Sequence, residues 1–158
     1  MISSLNIANT FAIKGIRNGV SVTPMKLQKL IYLLYANYIA KTNRPLFSDR
    51  FEAWEHGPVI RTVYNEFKRF GRKTIDTPFI SGDGQAYYAV EQDDVGRCVG
   101  EVWGKYSHFT GPRLSAVTHE DGTAWSKKNL GDFLDDADIK TDGQRWFGGG
   151  LGDPSRQG

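Results

Sequence analysis

The chain has 158 residues and a mass of 17.7 kDa, enough for one domain with a real core that needs no staples. Hydrophobic residues at 39% and aromatics at 13% can offset the entropy of ordering, which excludes general disorder, while a net charge of +2 is too weak to imply a polyanion partner by itself. Cys98 is the only cysteine, so neither an internal disulfide nor a Cys-x-x-Cys zinc pair is available, and a small residue filling a helix interface is its expected role.

The first residues lack a basic segment followed by an apolar one, so no signal peptide is expected. Ser3 or Ser4 caps a first helix with Leu5, Ala8, Ala12 and Gly15 on one stripe, ended by Asn18-Gly19. Thr23-Pro24 is a strong helix opening: the hydroxyl serves the free N–H groups, and the proline sits where its missing N–H costs nothing. Leu27, Leu30, Ile31, Leu34, Tyr35, Tyr38 and Ile39 follow at helical offsets, with Tyr32 and Leu33 widening the apolar arc. This is the expected central helix, with Lys26, Lys29 and Asn37 off its stripe. Its densest apolar run, Leu30 to Ala36, is too short to span a bilayer, and the cytoplasm is the expected compartment.

Asn43-Arg44-Pro45 ends that helix, and Phe51-Glu52-Ala53-Trp54 alternates as a short strand does. Trp54 is expected to be buried beneath the Thr23 helix. Gly57-Pro58 reads as a rigid elbow that opens a helix running to Phe70, with Ile60, Val63, Tyr64, Phe67 and Phe70 inward and Gly71 as the stop. Thr77 to Ile80 and Ala86 to Val90 flank Gly82-Asp83-Gly84 as a small hairpin. Asp93-Asp94 favours a helix start, followed by Val95, Val99, Val102 and Tyr106, with Gly96, Gly100 and Gly104 forming a side-chain-free strip. Pro112 opens a short helix through Thr118, and Trp125 lies on another turn. Beyond residue 130 the acidic and glycine-rich composition reads as a docked segment around Phe133-Leu134 and Trp146-Phe147 with a frayed end, giving two parts, 1–130 and 131–158. The fold class is mainly α, a compact single-domain helical bundle with a small β-hairpin or short strands.

Motifs for chemistry are absent: there is no zinc helix, nucleophile elbow or phosphate loop. His56, His108 and His119 have no helical pair spacing, so no metal or other cofactor is expected. A His119 that bonds a neighbouring carbonyl or stacks on Trp125 is the simpler reading than an acid–base residue. Glu52 and Glu55 face opposite sides of an extended segment, which argues against a carboxylate pair; Glu52 is expected to meet a basic residue such as Lys29. The first two helices look superficially like a helix-turn-helix, but the second is apolar over most of its circumference, unlike a groove reader. Arg61, Lys68, Arg69, Arg72 and Lys73 form the local basic cluster. A solvated helix face is its ordinary explanation; the alternative is a contact for RNA, DNA phosphate or an acidic partner.

Lys-Leu-Gln-Lys-Leu at 26–30, Ala-Trp-x-x-Gly-Pro-Val at 53–59 and Thr-His-x-x-x-x-x-Trp-Ser at 118–126 occur in that order. Together they resemble the Panacea-domain family, which includes SocA-like and phage-associated GepA-like proteins. The resemblance reaches to about Lys128. It implies a non-enzymatic antitoxin that neutralises a co-encoded toxic protein by stoichiometric binding, with prophage or phage-defence associations. A regulator that binds nucleic acid, a phage-encoded accessory protein and an adaptor that delivers its partner to a protease are the alternatives. It also implies that Lys29, Trp54, Gly57, Pro58, His119 and Trp125 form a motif cluster that fixes the fold. Ala124 departs from the pattern, standing where a proline commonly precedes the tryptophan.

Overall fold

The computed structural model describes residues 2–88 and 93–148. These form α1 (Ser4–Asn18), α2 (Pro24–Thr42), β1 (Glu52–Trp54), β2 (Gly57–Val59), α3 (Arg61–Phe67), α4 (Asp94–Tyr106), α5 (Gly111–Thr118) and α6 (Asp136–Phe147), with short 3-10 turns at Lys68–Phe70 and Trp125–Lys127. The expected mainly α bundle with one small sheet is therefore what the chain builds.

Helix starts follow capping chemistry, at Ser3 and Thr23 as read from the sequence and at Thr110 as the fold reveals. The side chains of Ser3, Thr23, Asp93 and Thr110 accept from the N–H groups of Asn6, Lys26, Gly96 and Arg113, and α1 ends on Gly19 in the left-handed region. Around the central α2 pack α1, α4, α5 and α6. Its burial is almost complete around the circumference, including Lys26, Lys29 and Asn37, which the apolar stripe alone places outside. Each of these three polar groups reaches main chain: Lys26 to Ser107 O, Lys29 to Pro58 O and Asn37 to Cys98 O.

Several expectations change. Pro58 does not open a helix; it lies in β2, and α3 begins only at Arg61. Proline fits there because Ala53, its cross-strand partner, turns its own backbone groups outward, donating to Asp132 O at 2.8 Å and accepting from Gly131 N at 2.7 Å. A second correction concerns residues 77–88, which make a turn but no ladder. Ser81 N bonds Gln85 O at 2.8 Å, and the buried amide of Asn9 then takes the place of cross-strand bonds. Its Nδ2 donates to Phe79 O (2.9 Å) and Tyr87 O (3.1 Å), and its Oδ1 accepts from Phe79 N (2.7 Å). Residues 89–90 of that expected hairpin lie outside the described residues. Finally, the docked segment after Leu134 is a full helix, α6. Asp142 on it is buried, accepting from Tyr32 Oη at 2.6 Å and from Ala124 N at 3.1 Å. Leu134 is buried as expected, whereas Phe133 is exposed beneath the Arg50 guanidinium.

Candidate functional site

The turn of the β1–β2 hairpin meets α2 and α5, and its carbonyls are held by side chains. Five side chains from three other parts of the chain capture them. Trp125 Nε1 donates to Trp54 O at 2.7 Å, His119 Nε2 to Glu55 O at 2.8 Å and Ser115 Oγ to His56 O at 2.6 Å. Lys29 Nζ donates to Pro58 O at 2.8 Å, and the Gln28 amide brackets Ile60 with bonds to both its N–H and its C=O at 3.0 Å. A hairpin of three-residue strands is marginal alone. This ring of donors replaces the missing sheet neighbours and satisfies buried main chain.

Gly57 lets the parts close together. Its φ is 116°, and a Cβ there would lie 2.8 Å from Thr118 Oγ1 and 2.9 Å from Lys29 Cε. His119 packs edge-on against Trp125 at 4.0 Å between ring centroids, with Nδ1 2.6 Å from Ser115 O. Nε2 is thus held by main chain, and Nδ1 lies against Ser115, whose hydroxyl is 3.1 Å away. Among the described residues Lys29 has no carboxylate beside it: Glu52 instead binds Arg61, at 3.0 and 3.1 Å. Burial lowers the Lys29 amine from its ordinary 10.5 to about 7.

Known proteins match this same stretch. The sequence model of the antitoxin SocA-like, Panacea domain family fits residues 27–126, which span more than half of the chain and hold all five capturing side chains. The chain belongs to the SocA-like Panacea domain family. A curated relative, Antitoxin SocA of Caulobacter vibrioides (strain NA1000 / CB15N), is 27% identical over 124 residues, 75% of this chain. That alignment spans 66% of the relative, just under two thirds of its length. No solved structure matches the chain.

Within the Panacea segment, Lys29, Gly57, Pro58, His119 and Trp125 converge on the hairpin. Gln28 and Ser115 belong to the same device; Gln28 sits inside the first motif phrase and Ser115 three residues before the last, but a lone amide or hydroxyl gives no sign of a carbonyl to hold. Trp54 departs from expectation. It contributes its carbonyl to the ring, but its indole is only part-buried, lying edge-on to Tyr64 at 4.8 Å with the Arg61 guanidinium 5.3 Å above it. Trp54→Ala should therefore cost about 1–2 kcal/mol, less than a core tryptophan, as read by urea denaturation. A loss of 4 kcal/mol or more, roughly that of a fully buried ring, would contradict this placement.

Ala124 explains its own departure from the Panacea pattern. Its N–H donates to the Asp142 carboxylate, a bond a proline could not make. Cys98 is buried, and burial pushes its thiol up to about 11, away from thiolate chemistry.

The basic cluster lies on α3 and the turn after it. Arg61, Lys68, Arg69, Arg72 and Lys73 are all exposed, and among the described residues only Arg61 of these forms an ion pair. Beside them, between the start of α2, the hairpin and α3, opens an apolar cleft of about 330 Å³. Trp54 and Tyr64 stand on its rim, and Val63 and Phe67 line it. Among the described residues no three His, Cys, Asp or Glu side chains come together as a metal site would require, and no helix is long and apolar enough to cross a membrane.

Proposed function

We propose that this protein is an antitoxin that neutralises a toxic protein partner by direct stoichiometric binding, without turnover, in the cytoplasm. The observation that carries the reading is how the motif side chains are used. Lys29, Ser115, His119 and Trp125 are committed to the main chain of the hairpin, so the polar groups that might have formed a reaction centre hold the scaffold instead. What the scaffold presents is a cleft with an aromatic rim beside a basic strip, a surface suited to protein contacts. Membership in the SocA-like family, and a relative whose name is Antitoxin SocA, agree with it. Co-expression with the product of the neighbouring gene should restore growth and give a co-purifying complex of fixed stoichiometry. If growth is not restored and no complex forms, the antitoxin reading fails.

One observation favours a second reading, a nucleic-acid-binding regulator: among the described residues Lys68, Arg69, Arg72 and Lys73 have no carboxylate partner. That reading requires DNA or RNA affinity that falls steeply with salt and weakens in Lys68→Glu/Arg72→Glu. Absence of binding at low salt removes it.

A further inference from the structure

The cleft and the basic strip form one continuous surface. Met25, Trp54, Val59, Val63, Tyr64 and Phe67 make its apolar walls, and its volume of about 330 Å³ suits one or two bulky side chains. Its rim carries more cations than carboxylates: Glu55 also lines the cleft and Glu52 pairs with Arg61, whereas Lys68 and Arg72 have no carboxylate partner among the described residues. The Arg61 guanidinium stands over Trp54, the Lys68 ammonium lies 5.9 Å from the centre of the Tyr64 ring, and Arg72 follows Gly71, which also lines the cleft. Between Arg61 and Ile75, Glu66 is the only carboxylate before Ile75 and it neutralises none of these cations; the Arg69 guanidinium bonds its main-chain carbonyl instead. Unpaired cations beside an exposed apolar slot are complemented together by a partner that brings carboxylates next to an apolar side chain.

We propose that this surface is the docking site for an acidic segment of a partner protein, which seats a bulky apolar side chain between Trp54 and Tyr64 and sets its carboxylates against Lys68, Arg69 and Arg72. The inference deepens the antitoxin reading and rests on it for the partner's role, though not for the chemistry of the site. Tryptophan, tyrosine and arginine at the rim are the residue types that dominate binding energy at protein interfaces, and Met25 supplies an adaptable wall. The recessed aliphatic walls, Val59 and Val63, fit a side chain inserted end-on. They offer no flat platform for stacked bases.

The test is selection of a random peptide display library against the full chain. Enriched sequences should carry an excess of Asp and Glu beside a bulky apolar residue. Synthesised versions should bind the parent and lose roughly tenfold or more in affinity to Tyr64→Glu and, separately, to Lys68→Glu/Arg72→Glu. Their affinity should fall as salt is raised. Because Tyr64 and both cations are exposed, thermal melts of these variants should match the parent. Arg44→Glu, an exposed change at the far end of α2, should leave binding unchanged. The proposal is overturned if nothing is enriched, if the enriched peptides have no acidic bias, if they ignore both rim variants, or if a duplex oligonucleotide occupies the strip and no peptide competes. The selection needs no toxin. A toxin complex that forms equally well with both rim variants would leave the antitoxin reading standing and remove this one.

Discussion

Adding a single methyl group at Gly143 is expected to undo the packing of α6. This helix crosses α2 so closely that a Cβ at Gly143 would overlap the Ala36 carbonyl and lie 2.9 Å from the Ala40 Cβ. Neither obstacle is the yielding end of a long side chain, so the helix itself must retreat. Retreat would carry Asp142 away from the Tyr32 hydroxyl and the Ala124 N–H, leaving two buried donors without their acceptor. Overpacking costs about 1–3 kcal/mol, and each stranded polar group about 1–3 kcal/mol more. Opposing this is the better helix propensity of alanine, about 1 kcal/mol. The net expectation for Gly143→Ala is a loss of about 3–5 kcal/mol in urea denaturation. A variant as stable as the parent, or stabilised by the propensity gain alone, would show that α6 is not held where the close contact places it.

The same contact shows what a sequence can and cannot reveal. The glycine strip of α4 reads as a flat face for close approach, yet Gly100 and Gly104 face open space, and among the described glycines the tightest approach of a neighbouring backbone is at Gly143, in a segment read as a docked tail. Periodicity missed α6 because Asp136, Asp138, Lys140 and Asp142 interrupt any apolar stripe, and one of those aspartates points inward. Helix starts were legible because their signals are local: Thr23-Pro24 and Pro112 announce their helices within a few residues. Lys26 and Lys29 misread for the opposite reason. Their burial is set by carbonyls at Ser107 and Pro58, far along the chain, to which no local pattern points. The Gly57-Pro58 pair misread because proline serves equally at a helix start and in a strand pair that needs no N–H, and only the outward-turned backbone of Ala53 decides between them. In the candidate site, the motif phrases located Lys29, His119 and Trp125. Their shared target, the row of hairpin carbonyls, is a three-dimensional fact, and so is the cleft that the rigid hairpin leaves open beside α3.

Lys29 should make this protein gain stability as the pH rises through the neutral range. In the unfolded chain its ammonium gives up the proton near 10.5; in the fold, desolvation brings that down to about 7. Between those values the unfolded state holds a proton that the folded state does not, so raising the pH favours the fold. The contribution is complete above about 10.5 and is lost as the pH falls through about 7. From pH 7 to pH 9 the gain should be about 2 kcal/mol. Lys26, also lowered by burial, acts in the same direction. The Cys98 thiol, pushed up to about 11, acts in the opposite direction only from about its ordinary 9 upward, so pH 7–9 isolates the lysines. Urea denaturation of the parent and of Lys29→Met across that window is the measurement. Methionine matches the length of the stem and removes the buried charge; it forfeits one hydrogen bond to Pro58 O, about 1 kcal/mol. The variant should equal or exceed the parent at pH 7 and show a much flatter pH dependence. A parent whose stability is flat or falling from pH 7 to 9, or a Lys29→Met variant that keeps the full slope, would mean that Lys29 reaches solvent and does not hold the hairpin as a buried amine.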